Sequence, residues 1–218
     1  DITFTPDDFG EFNTVEYLSA FELKVFPVIA SGTCLFTQGI QGSGKSSVAE
    51  KLSGIKIEQD MCWGCTKVTQ FQLMWHLLHG LNVVVSRCNA NTPQYKAYLK
   101  IAKDAGAKIL FASSNNTNSP LYLAVSLAGI RNRSLNGDTA MIGRREYPME
   151  TAIEFTTKNW KEFKVEPKAA IIQSFRMDND LEEQAATALK NNQMKEFVES
   201  KFDELMTLRV ALETVVAD

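Results

Sequence analysis

The clearest chemistry in this chain lies in Gly39-Ile40-Gln41-Gly42-Ser43-Gly44-Lys45-Ser46-Ser47. The stretch reads GxxxxGK[ST], the spacing of a phosphate-binding P-loop. Glycines at 39, 42 and 44 let the backbone turn with positive φ, so that main-chain N–H groups from Gln41 to Ser47 can face phosphate oxygens. Lys45 adds a cationic donor for the β and γ phosphates. The Ser46 hydroxyl has the reach to ligate a Mg²⁺ bound between them. The expected ligands are a nucleoside triphosphate, ATP or GTP, and Mg²⁺ as cofactor.

A triphosphate needs a second substrate, and other residues must supply its chemistry. Asp60 follows Gly54-Ile55-Lys56-Ile57-Glu58-Gln59, which reads as a short strand ending at an acid. A carboxylate there can accept a hydroxyl proton as that oxygen attacks phosphorus, or it can cap a helix or anchor the Mg²⁺ hydration shell. Arg131, Arg133, Arg144 and Arg145 frame a Gly- and Asn-rich stretch from 132 to 148, read as a loop of about 15 residues. It is either a solvated basic loop or a lid that folds over the nucleotide. Cys62-Trp63-Gly64-Cys65 has CxxC spacing but lacks a second pair, so structural thiols are expected rather than zinc. His76 and His79 lack the spacing and the glutamate of a metalloprotease helix. No helicase DExx box, GTPase NKxD or phosphatase DxDGT signature occurs.

The elements that position these residues alternate. Gly32 to Gln38 is an uncharged, β-rich run before the glycine loop, and Val48, Ala49 and Leu52 recur at helical spacing after it. Lys67 to His79 reads as a helix stopped by Gly80. Leu81 to Ser86 reads as a buried strand. A helix opening at Pro93, a strand at 108–112, helices at 121–131 and 149–163, and a last strand at 169–173 follow. Val15 to Val25 reads as an N-terminal helix. From Asp178 onward the chain is helical and charged, with Asn191-Asn192 as a break. Strand and helix in alternation imply an α/β fold, a mainly parallel sheet between helical layers. The expected division is 1–30 as a packing segment, 31–175 as the nucleotide-binding domain with a lid at about 131–148, and 176–218 as a C-terminal helical extension.

Bulk properties are those of an ordinary globule. The 218 residues are 44% hydrophobic and 22% charged, with net charge −3 and four cysteines. That charge argues against a generally basic nucleic-acid coat, though not against a local groove. No apolar run approaches 18 residues, and no signal peptide is recognisable, so an intracellular, membrane-free setting is expected. The chain starts at Asp1, as expected of a piece of a longer protein.

Taken in order, four places resemble the polynucleotide 5′-kinase family, and within it the kinase domains of tRNA ligases that heal and seal RNA ends. They are Gly39 to Ser47; Gln59-Asp60; Val83-Val84-Val85-Ser86-Arg87-Cys88-Asn89-Ala90-Asn91; and Ala128-Gly129-Ile130-Arg131-Asn132-Arg133. The resemblance spans about residues 33 to 163. It implies a P-loop NTPase three-layer sandwich of the adenylate-kinase and polynucleotide-kinase type. It further implies transfer of a γ-phosphoryl to the 5′-OH end of RNA, within a parent ligase whose other domains lie elsewhere. Asp60 would be the general base, Lys45 would hold phosphates, and Arg131 and Arg133 would close as the lid. Arg87, Asn89, Arg144 and Arg145 would meet the RNA. Ser86 stands where the family has an acid. A small-molecule kinase and a non-catalytic nucleotide- or RNA-binding module are the alternatives.

Overall fold

A computed structural model describes residues 32–50, 52–62, 64–171 and 175–209. The segment 1–30 and its expected helix lie outside the described residues, as do the side chains of Val48, Asp60, Met61, Ala170 and Ile171.

Five strands form the central sheet: β1 (Thr33–Gln38), β2 (Ile55–Ile57), β3 (Val83–Val85), β4 (Lys108–Ser113) and β7 (Ala170–Ile171), in the order β2-β3-β1-β4-β7. β1 and β2 both pair in parallel with β3, and β4 pairs in parallel with β7. Val83, Val84 and Val85 are all buried, as a strand covered on both faces requires. The fold is therefore α/β, with a mainly parallel sheet and helices in the connections, compatible with P-loop-type nucleotide folds. No helix among the described residues is long and apolar enough to cross a membrane.

The chain groups into two compact units. The first holds, of the described residues, 32–36, 53–87 and 92–110. In it α2 (Thr66–Leu78) packs against α3 (Thr92–Asp104), and Phe36 lies 6.2 Å from Tyr95, ring to ring. The second holds 37–52, 88–91 and the described residues from Phe111 onward. It contains α1 (Lys45–Glu50), α4 (Pro120–Asn132), β5 (Thr139–Ile142), β6 (Arg145–Pro148), α5 (Met149–Glu162), α6 (Asn179–Lys190), α7 (Met194–Ser200) and α8 (Phe202–Thr207). Among the described residues the C-terminal helices share one core with α4. Leu181, Ala185, Phe197, Val198 and Leu205 are buried together with Leu121 to Ile130.

Two local expectations change. Residues 132–148 are not an open loop. β5 and β6 form an antiparallel hairpin whose two-residue turn has Gly143 at φ 62°, the first central position where such turns favour glycine. Glu146 ties it down, bonded to Ser134, to Thr139 Oγ1 at 2.9 Å and to Asn136 Nδ2 at 2.9 Å. Asp60 also does not end a strand. β2 stops at Ile57, and Asp60 lies in a 3-10 turn, Gln59–Cys62. Gln59 stabilises that turn by donating to Gly64 O and Thr66 Oγ1. The break at Asn191-Asn192 is present: α6 ends at Lys190, and Asn192 takes φ 56°.

Candidate anion-binding site

The loop after β1 departs toward β2 at one edge of the sheet, while the loop after β3, β1's neighbour, departs toward β4 on the far side of β1. In α/β proteins generally, ligands bind outside the carboxyl ends of strands whose loops diverge in this way. Within the second unit the two loops are tied. Gly39 N donates to Cys88 O at 3.0 Å, Asn89 Nδ2 donates to Thr37 O at 2.7 Å, and Gln38 Nε2 donates to Asn89 O at 3.1 Å.

The glycine loop takes the backbone its composition suggests, with Gly42 at φ 77° and Gly44 at φ 98°. α4 supports it from below. The buried Tyr122 hydroxyl accepts from Ile40 N at 3.3 Å and bonds the Ser43 side chain, and burial pushes its phenol up to about 12. A Cβ at Gly42 would overlap the carbonyl oxygen of Ser126, and one at Gly129 would overlap that of Gly42, so loop and helix backbones lie in direct contact. The Gln41 side chain is turned to α5, where Asn159 donates to it at 3.0 Å.

Lys45 Nζ donates to Ile40 O, at 2.7 Å, inside its own loop. Burial lowers its pKa most. The Cys88 side chain, a hydrogen-bonding neighbour, raises it, while Arg133 and Arg209 lower it. Arg209 is itself lowered by burial and then by Arg133. The Arg209 guanidinium overlies the loop that carries Lys45, where a Cβ at Gly44 would stand 3.5 Å from Nη2, and both cations feel the like charge of Arg133. Ser46 and Ser47 at the start of α1 are exposed.

The other expected site residues divide. Arg133, just past the end of α4, acts on Lys45 and Arg209 as a like charge, whereas Arg131 lies 6.0 Å over the Phe202 ring. Arg144 and Arg145 are exposed at the hairpin turn, with Arg145 5.5 Å over Tyr147. Arg87 is held within the first unit, donating to Gln59 Oε1 at 3.1 Å and Gln94 O at 2.9 Å and lying 4.4 Å over Tyr98. Asn89, 1% exposed with φ 44°, ties backbone to backbone rather than facing solvent. The Asp60 backbone follows the carboxyl end of β2.

Sequence reasoning missed Arg209, Tyr122 and Gln38. Gln38 accepts from Glu166 N at 2.9 Å and donates to Lys164 O at 3.3 Å, joining distant segments that no local spacing marks. No group of three His, Cys, Asp or Glu side chains is placed to hold a metal among the described residues. No protein-family model matches the chain, and no curated protein is similar to it by sequence.

Proposed function

We propose that the chain binds a nucleoside triphosphate on its glycine loop and transfers the γ-phosphoryl to the 5′-OH end of RNA, as the kinase module of an RNA-repair or tRNA ligase protein inside the cell. The observation that carries this reading is a loop with left-handed glycines at the end of β1 that holds Lys45 and is overlain by the Arg209 guanidinium. Phosphoryl transfer spreads negative charge over the moving group, and fixed cations in a partly dry site stabilise that charge.

In this reaction the 5′ oxygen forms a bond to the γ phosphorus as the bond to the β–γ bridging oxygen breaks, leaving a nucleoside diphosphate. The hydroxyl proton passes to a base, for which Asp60 is the candidate. Lys45 and Arg133 bind and orient the phosphate oxygens. Ser46, an exposed hydroxyl at the start of α1, fits a Mg²⁺ that takes most of its ligands from phosphate and water. When bound, that ion neutralises charge on the β and γ oxygens. Arg144 and Arg145, exposed on the hairpin turn, suit contacts to an RNA backbone.

A second reading, a nucleotide- or RNA-binding module without catalysis, is favoured by Ser86. It is buried, at 8% exposure, where the resembling family places an acid. The test is incubation with γ-labelled ATP or GTP, Mg²⁺ and 5′-OH RNA. Label at the RNA end, lost in an Asp60→Ala protein that still binds nucleotide, supports the kinase reading. Label on nucleosides or sugars alone indicates a small-molecule kinase, and nucleotide binding with no transfer indicates the module.

A further inference from the structure

The C-terminal segment contributes to the glycine loop as well as to the core. Arg209 follows α8, and its backbone forms an antiparallel bridge with Phe175, beside the bond from Arg176 N to Leu208 O at 2.7 Å. Phe175 is buried and packs on Tyr122 with its ring tilted by 42°, ring centroids 5.7 Å apart, and Tyr122 is the residue that holds Ile40 and Ser43. One line of contacts therefore fixes Arg209 to the loop. Its guanidinium reaches back over α4 through the gap left by Gly129, where a Cβ would overlap Nη1. It ends over Gly44, where a Cβ would stand 3.5 Å from Nη2.

We propose that Arg209 is an anion-binding residue of this site, its guanidinium closing over Gly44 to take two oxygens of a polyphosphate. The proposal rests on the nucleotide reading of the glycine loop and extends it to the C-terminal segment, without which the site is incomplete. Arg133 acts on both Arg209 and Lys45 as a like charge, Arg209 acts on Lys45 in the same way, and the Cys88 side chain hydrogen-bonds Lys45. Cations crowded this way disfavour the empty site, and a polyanion removes that cost on entry. The planar fork of arginine matches two phosphate oxygens at once.

Calorimetric titration of the full chain with inorganic tripolyphosphate, then with ATP, tests the proposal. Arg209→Gln is expected to bind tripolyphosphate about ten- to a hundredfold more weakly, the range for one charge-assisted bond pair, while its melting temperature without anion stays level or rises. Wild-type affinity in Arg209→Gln, alongside loss in Lys45→Ala, overturns the proposal and leaves the nucleotide reading standing. No binding of either ligand by the wild-type chain overturns both. A second measurement needs no variant: arginine modification by phenylglyoxal, read by peptide mass. Tripolyphosphate is expected to protect Arg209, and full modification of Arg209 in saturating anion overturns the proposal.

Discussion

The loops after β1 and after β3 both carry cations and polar side chains, yet they use them in opposite ways. In the loop after β3, Arg87 has two hydrogen-bond acceptors and a tyrosine face, and Asn89 bridges Thr37 and Gln38. Those groups are spent on holding the chain. In the loop after β1, Lys45 reaches a carbonyl of its own loop and otherwise meets Arg133, Arg209 and a thiol. Arg87 and Asn89 are bonded within the fold, whereas Lys45 and Arg209 lie among like charges, an arrangement that an incoming anion would relieve. Residue type alone does not separate the two roles, since Arg87 and Arg133 are the same side chain.

Three substitutions probe that contrast. Lys45→Ala is expected to have the largest effect, a loss of about a hundredfold or more in triphosphate binding and in any phosphoryl transfer. Its unfolding midpoint should barely move, because relief of the repulsion from Arg133 and Arg209 offsets the loop hydrogen bond that is lost. Equal loss of stability and binding would erase the contrast. Asn89→Ala should do the reverse and destabilise by about 1–3 kcal/mol, since it strands a buried acceptor and leaves a left-handed residue without asparagine's tolerance. Triphosphate affinity per folded molecule should be retained in that variant, as titration calorimetry would read.

The smallest expected effect lies in the hairpin that presents Arg144 and Arg145. Hydrogen bonds from Ser134 and Thr139, then Asn136, hold the Glu146 carboxyl below the usual glutamate value. A carboxyl lowered in the fold stabilises it fully above its unfolded value of 4.5, and that contribution disappears as pH falls through the lowered value. Protection of the 134–147 amides from exchange, relative to the intrinsic rate at each pH, should therefore fall in acid. Glu146→Gln should flatten the dependence, and an unchanged acid profile in that variant would show the hairpin to be held by other means.

How much was legible beforehand depended on range. The glycine loop, the valine strand and the break at Asn191-Asn192 are written in adjacent residues, and they appear in the structure as local chemistry dictates. The hairpin was hidden because its strands are four residues each, its polar residues serve a side-chain cluster, and its turn is Gly-Arg rather than Asn-Gly. The 3-10 turn at Asp60 depends on Gln59 bonding forward to Gly64 and Thr66, which strand propensity does not reveal. Arg131 and Arg133 carry the same signal in the sequence, yet Arg131 lies over the Phe202 ring while Arg133 acts on Lys45 and Arg209, a difference that spacing does not show. Arg209 had no local signal; it reaches the loop only through Phe175, Tyr122 and the missing side chain of Gly129.

α4 carries one more consequence. Ten of its 13 residues are buried, so it has almost no polar face to offer water. The C-terminal helices cover it, and α6 sends Glu182 to Ser119 and to Leu121 N, at 3.0 Å, at its first turn. An expression boundary drawn near residue 175, natural from the strand pattern, would strip that cover. Such a fragment should collect in inclusion bodies, whereas a boundary beyond Arg209 should yield dispersed protein.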